Sequence, residues 1–141
     1  MNSKISGGAR YRLFSDGGAR GNPGPAAIGA VLYNGTKTIG TVSEYIGETT
    51  NNQAEYKAVI AGLKLALENK ITELHCFLDS ELVVEQLNRN YKVKDKELAK
   101  LFVQVWNLSQ SFKKVTFQHV RREQNKFADK LVNQALDKII G

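Results

Sequence analysis

A chain of 141 residues, 42% of them hydrophobic, has the length of one ordinary domain and can bury one sizeable core. Lys and Arg number 20 against 14 Asp and Glu; the formal charge of +6 favours a polyanionic partner without naming one, because basic domains with no nucleic-acid ligand are common. The single cysteine, Cys76, excludes an internal disulfide. No apolar run approaches the roughly 18 residues of a membrane span, and MNSKISGGARYR holds no secretory apolar segment, so a cytoplasmic protein without membrane association is expected.

Residues 1–9 read as a flexible lead-in and residues 10–141 as a single domain. RYRLFS alternates in strand fashion, with Tyr11 and Leu13 on one face and Arg12 and Phe14 on the other, and the strand is expected to end at Asp16. AAIGAVLY and TKTIGTVSEYI flank Asn34-Gly35, a dipeptide that supplies the positive dihedrals of a two-residue hairpin turn, which predicts an antiparallel meander of three strands. The period then changes. TNNQAEYKAVIAGLKLALEN has the helical repeat and predicts a helix over 51–69, with Thr50 and Gln53 spaced as a capping box. ITELHCFLD reads as a short buried strand ending at Asp79, SELVVEQLNRN as a helix directly behind it, and KDKELAKLFVQVWNLSQSF as a longer amphipathic helix. KVTFQHV predicts a last strand and NKFADKLVNQALDKII a closing helix. The expected fold class is α/β: a mixed five-stranded sheet, three antiparallel strands and then parallel ones, flanked by helices, with functional groups at strand ends and helix starts.

Four acids fall at such positions. Glu55 shares one helical stripe with Val59, Leu63 and Ala66, so a carboxylate lies on the face that packs against the sheet. Taken singly, each acid has an ordinary explanation: Glu55 as favourable charge near a helix N-terminus, Asp79 as an N-cap, Asp16 as a turn opener, Asp129 as a solvent-edge acid. Together, in a basic chain, they suggest a shared purpose, because core-facing carboxylates must be protonated, paired or bound to a cation. Hard divalent ions take such oxygen ligands, and two of them about 3.5–4 Å apart can activate water and steady the leaving oxygen of a phosphodiester. Other cofactors find little support. His75 and His119 lie on separate strands and suit structural roles, one cysteine gives no zinc spacing, and GARGNPGP is neither a Walker loop nor a dinucleotide fingerprint. It reads as a turn that admits a ligand close to the backbone.

SDGGARGNPGPAAIGAVL, TTNNQAEYKAVIAGL, FLDSELVVEQL and REQNKFADKLVNQA resemble, in order, four motif blocks of the type 1 ribonucleases H, and they cover nearly the whole chain after residue 10. The resemblance implies the ribonuclease H-like fold and an endonuclease that hydrolyses the RNA strand of RNA/DNA hybrids, leaving 5′-phosphate and 3′-hydroxyl ends. It also implies a monomer with two Mg²⁺ ions per site, Mn²⁺ substituting, held by Asp16, Glu55, Asp79 and Asp129 as catalytic ligands. Asp16 would bridge the ions, with Glu55 and Asp79 on one and Asp129 on the other. Substrate contacts would come from Gly18, Ala19, Arg20, Gly21, Asn51 and Asn52 toward RNA 2′-hydroxyls, from Asn22 and Thr50 toward phosphate, and from Asn125. The 2′-OH is what separates RNA from DNA.

Two departures from the family pattern stand out. LNRNYKVKDKEL runs straight into the third helix, without room for the basic, tryptophan-bearing insertion of many relatives. Arg89, Lys92, Lys94 and Lys96 around Tyr91 either contact phosphates in its place or form a solvated connection. VRREQNKFAD also lacks the mobile histidine of many relatives, so Glu123, or water on the metal, is expected to take its part. A noncatalytic hybrid-binding module and the nuclease domain of a reverse transcriptase are the rival readings.

Overall fold

Alternation between sheet faces organises the first half of the chain in the computed structural model, which describes residues 10–141; the expected lead-in over residues 1–9 lies outside the described residues. β1 (Tyr11–Ala19) pairs antiparallel with β2 (Gly24–Asn34), which pairs antiparallel with β3 (Lys37–Thr49). The hairpin turn sits one residue later than expected: Asn34 pairs with Lys37, and Gly35, at φ 63°, takes the first turn position that glycine tolerates best.

Beyond α1 (Asn51–Glu68), β4 (Glu73–Leu78) returns parallel to β1, from Arg12↔His75 to Ser15↔Leu78. α2 (Glu81–Leu87) and α3 (Lys96–Ser109) lead to β5 (Lys114–His119), parallel to β4. A short 3-10 turn, Arg122–Gln124, precedes α4 (Lys126–Ile140). The sheet order is β3-β2-β1-β4-β5, the mixed sheet read from the sequence.

Several boundaries differ for local reasons. α2 stops at Leu87 rather than running to residue 90, and Arg89 then adopts φ 65°. α3 begins only after Asp95, whose carboxylate accepts from the Leu98 N–H at 2.9 Å and fixes the start as an N-cap. β1 continues past Asp16 because β2 keeps pairing with it as far as Ala19↔Ala26.

Helices cover both faces. Leu13, Leu32, Cys76 and Leu78 meet Val59, Leu63 and Ala66 of α1 in the main core, to which α3 adds Leu98, Leu101 and Val105. Ala27 packs with Val132, Ala135 and Leu136 of α4 in a smaller cluster. Neighbouring glycines of β1 show the division: a Cβ on Gly17 would strike the Ala54 backbone of α1, whereas one on Gly18 would find Val132 of α4 at 3.8 Å. His75 has the structural role expected of it, its Nδ1 lying 2.9 Å from Thr116 Oγ1 on the adjacent strand. Among the described residues no helix is long and apolar enough to cross a membrane.

Candidate metal centre

The parallel ladder between β1 and β4 ends at Ser15↔Leu78, and the next residue on each strand is an acid, Asp16 and Asp79. Asp16 is thus not at the end of its own strand, as the sequence suggested; it still pairs with Gly29 of β2 and sits where β4 lets go. Ser80 rather than Asp79 caps α2, its Oγ accepting from the Val83 N–H at 3.3 Å, which leaves the Asp79 carboxylate free for other partners. Glu55 lies a full turn into α1, 7% exposed, with Oε1 buried and without a hydrogen-bond partner.

One oxygen from each of Asp16, Glu55 and Asp79 lies within 4.8 Å of the other two. Asp129, in the first turn of α4, lies near enough for its charge to act on Asp16 and lines the same cleft, about 400 Å³ in volume. Asn133, one turn further along α4, donates to the Asp129 carbonyl at 3.2 Å and to its Oδ2 at 3.4 Å. Three strictly oxygen-bearing side chains around one point, with a buried oxygen lacking any partner, fit a hard divalent cation. No thiol or imidazole lines the cleft, so softer metals have no matching donor.

Protonation follows from this crowding. Burial, and then the charges of Asp79 and Asp129, push the Asp16 carboxyl up to about 8. Burial, followed by the charges of Asp16 and Asp79, likewise raises Glu55 well above the usual range. A raised folded-state value means that the native protein binds more protons than the unfolded chain between roughly pH 4 and pH 8, so its stability falls as pH rises through that window. Metal-free protein is therefore expected to melt several degrees higher at pH 5 than at pH 8, at about 4 °C per kcal/mol for a domain of this size. A divalent cation at pH 8 should recover the loss. Calorimetric melts with EDTA at a series of pH values test this, and a flat series would contradict it.

The expected substrate residues divide into two groups. Gly18, Ala19, Arg20 and Asn51 line the cleft. Gly21, Asn22, Thr50 and Asn52 do not line it, and two of them have work in the scaffold. Asn22 Oδ1 accepts from the Asn51 N–H at 2.9 Å, and Thr50 Oγ1 accepts from the Gln53 N–H at 3.2 Å. Asn51 Oδ1 in turn accepts from the Ala19 N–H at 2.8 Å, so the β1–β2 turn is laced to the start of α1. The capping box is half formed, because the Gln53 side chain takes the Thr49 hydroxyl instead of the Thr50 backbone. Arg20 reaches over the rim to Asp137 at 2.7 Å and Asn133 at 3.3 Å.

Asn125, expected at the substrate, is 1% exposed, and its Nδ2 donates to the Ser15 carbonyl and to Asp79. Glu123 is exposed and absent from the cleft lining, as is His119; the neighbouring Arg122 lines it. Arg122 and Asn133 are the site residues that the motifs did not single out. For Arg122 the only signal was a cation in the loop before Asp129. In the basic connection, the exposed Arg89 guanidinium lies over the Trp106 ring at 5.0 Å.

A family model described as reverse transcriptase-like matches residues 14–135. The chain is 43% identical over 127 residues to the bifunctional protein Rv2228c of Mycobacterium tuberculosis; the match covers 89% of this chain and 35% of that protein, so the chain spans about a third of this relative's length. Among solved structures it resembles RNase H1 of Halobacterium salinarum, with a TM-score of 0.89 and 39% identity over 92% of this chain and 98% of that one. It also resembles LC11-RNase H1, solved in complex with an RNA/DNA hybrid, with a TM-score of 0.88 and 41% identity over 93% of this chain and 99% of that one.

Proposed function

This chain belongs to the type 1 ribonuclease H family, and from that premise we propose that it is an endonuclease hydrolysing the RNA strand of RNA/DNA hybrids to 5′-phosphate and 3′-hydroxyl ends. The observation that carries the reading is the convergence of Asp16, Glu55 and Asp79 within 4.8 Å, with Asp129 facing Asp16 across the same cleft. A module kept only for binding would gain nothing from four mutually repelling carboxylates turned toward phosphates. The relative solved with an RNA/DNA hybrid supports that substrate.

Asp16 with Glu55 and Asp79 would hold one Mg²⁺ or Mn²⁺ ion, and Asp16 with Asp129 a second. When bound, such a pair supplies charge stabilisation at a phosphoryl oxygen and lowers the pKa of water. The chain's own residues do the rest. Asp16 and Glu55, raised in pKa without metal, give up their protons as cations enter, so activity favours neutral to alkaline pH. Gly18 and Ala19 present backbone and no bulky side chain along the cleft, where an RNA minor groove with its 2′-hydroxyls can approach. Arg122 places positive charge beside the acids, suited to the phosphates that flank the scissile bond. The protein acts as a monomer in the cytoplasm on this reading.

Cleavage of an end-labelled RNA/DNA hybrid in Mg²⁺ and then in Mn²⁺, beside matched RNA and DNA duplexes, tests the assignment. Cutting confined to the RNA strand of the hybrid is expected. Tight hybrid binding with no cutting in either metal would establish the binding-module alternative instead.

A further inference from the structure

Asn125 stands where the 3-10 turn meets α4, and its hydrogen bonds reach three separate parts of the carboxylate cluster. Its Nδ2 donates to the Ser15 carbonyl at 2.8 Å, the residue before Asp16, and to Asp79 Oδ2 at 3.2 Å. Its backbone carbonyl accepts from the Asp129 N–H at 3.1 Å. One residue thus ties β1, the end of β4 and the first turn of α4 together. Both amide partners are acceptors, so the nitrogen must face them, and both of its protons are used.

The oxygen of the same amide is buried and has no partner. A residue kept for packing alone would not carry it, since an unpaired buried carbonyl is destabilising and an apolar side chain fills space without one. Aspartate would turn a second oxygen on the Ser15 carbonyl and on Asp79, and alanine would hold neither. Among side chains of this size, only asparagine offers two protons from one uncharged atom.

We propose that Asn125 is a positioning residue for the metal centre: it locks the strand acids and the helix acid into one arrangement and fixes the Asp79 carboxylate beside Asp16 and Glu55. The acids are then organised before any cation arrives. This rests on the reading of the cluster as a metal site, and only its kinetic readout depends on the nuclease assignment.

Asn125→Leu keeps the branched outline and removes both the donor and the unpaired oxygen, and the melting temperature of the variant separates positioning from packing. Mn²⁺ is titrated into EDTA-stripped wild-type and variant protein without substrate, with free Mn²⁺ followed by electron paramagnetic resonance. Affinity is expected to fall by about ten- to a hundredfold, as is usual when a partner of a metal ligand is lost. On the hybrid, kcat should fall in parallel while KM changes by less than about threefold, because the lost arrangement matters in the transition state and not in docking. A folded variant with wild-type Mn²⁺ affinity and kcat would overturn the proposal.

Should Asn125→Leu fail to fold, the wild-type protein still answers by NMR. The Asn125 side-chain amide protons should exchange slowly with water and shift when Mg²⁺ is added; fast exchange, or no shift on ion binding, would overturn it. Wild-type protein that binds Mn²⁺ yet leaves the hybrid intact would sink the nuclease reading and leave the Asn125 comparison standing. Protein that binds no Mn²⁺ at all would overturn both.

Discussion

Asp16→Asn should lower hybrid cleavage by on the order of a thousandfold or more while making the metal-free protein more stable at pH 8. Both halves come from one position. Asp16 is the acid near which Glu55, Asp79 and Asp129 all gather, so its removal takes a ligand from both proposed ion positions. Charge stabilisation worth several kcal/mol is then lost, and each 1.4 kcal/mol or so corresponds to a factor of ten in rate. The same carboxyl, raised to about 8 by burial and by its neighbours' charges, is a source of repulsion when no cation is present. An amide at this position does not ionise, so the fall in stability between roughly pH 4 and pH 8 should become shallower, with Glu55 accounting for what remains. Single-turnover cleavage and thermal melts in EDTA measure the two effects. A variant that cuts at a tenth of the wild-type rate, or melts below wild type at pH 8 without metal, would show that Asp16 is not the hub of this cluster.

Gly17→Ala should cost both stability and rate, although it adds one methyl group. The new Cβ would stand 2.3 Å from the backbone carbon and oxygen of Ala54 and 2.5 Å from the Glu55 nitrogen. These are backbone atoms and no rotamer change relieves the clash, so β1 and α1 must separate. Overpacking of this kind costs about 1–3 kcal/mol, or about 4–12 °C of melting temperature at this chain length. Separation also carries Glu55 away from Asp16. A displacement of about 1 Å at a catalytic group costs on the order of a hundredfold in rate, and that loss should be seen in the folded fraction. Gly18→Ala is the control for the melting temperature, since its Cβ meets only Val132 at the ordinary contact distance of 3.8 Å. Equal melting of the two variants would mean that β1 and α1 accommodate the added methyl without separating.

Much of the arrangement was legible before any coordinates. Period-two and period-3.6 patterns marked all five strands and the main helices, and the four acids stood out because each fell at a strand end or on a core-facing helix stripe. What the pattern could not convey was pairing. Whether β1 ends at Asp16 depends on β2, which continues alongside it, and on β4, which does not. The competing roles for Asp79 were separable only once Ser80 was seen capping α2. Asn125 lay beside the last acid in sequence and so suggested substrate contact, but its 1% exposure is set by residues 15 and 79, which no local window contains. Arg122 escaped notice because a cation in a polar loop has no periodicity, and its place at the cleft depends on how the 3-10 turn is aimed.

The close seat of α4 on β2 bears on when the site exists at all. A Cβ on Gly29 would come within 2.4 Å of the Ala128 carbonyl, so α4 lies almost on the strand, and Ser43 Oγ clasps the Leu131 carbonyl at 2.7 Å. That helix delivers both Asp129 and the residue that braces Asp79, and it is the last element of the fold to leave the ribosome. A nascent chain carrying Asp16, Glu55 and Asp79 still lacks the fourth acid and its brace. Assembly of the complete carboxylate set therefore waits on the seating of α4, which makes ion binding in this protein a report on whether that helix has docked on the sheet.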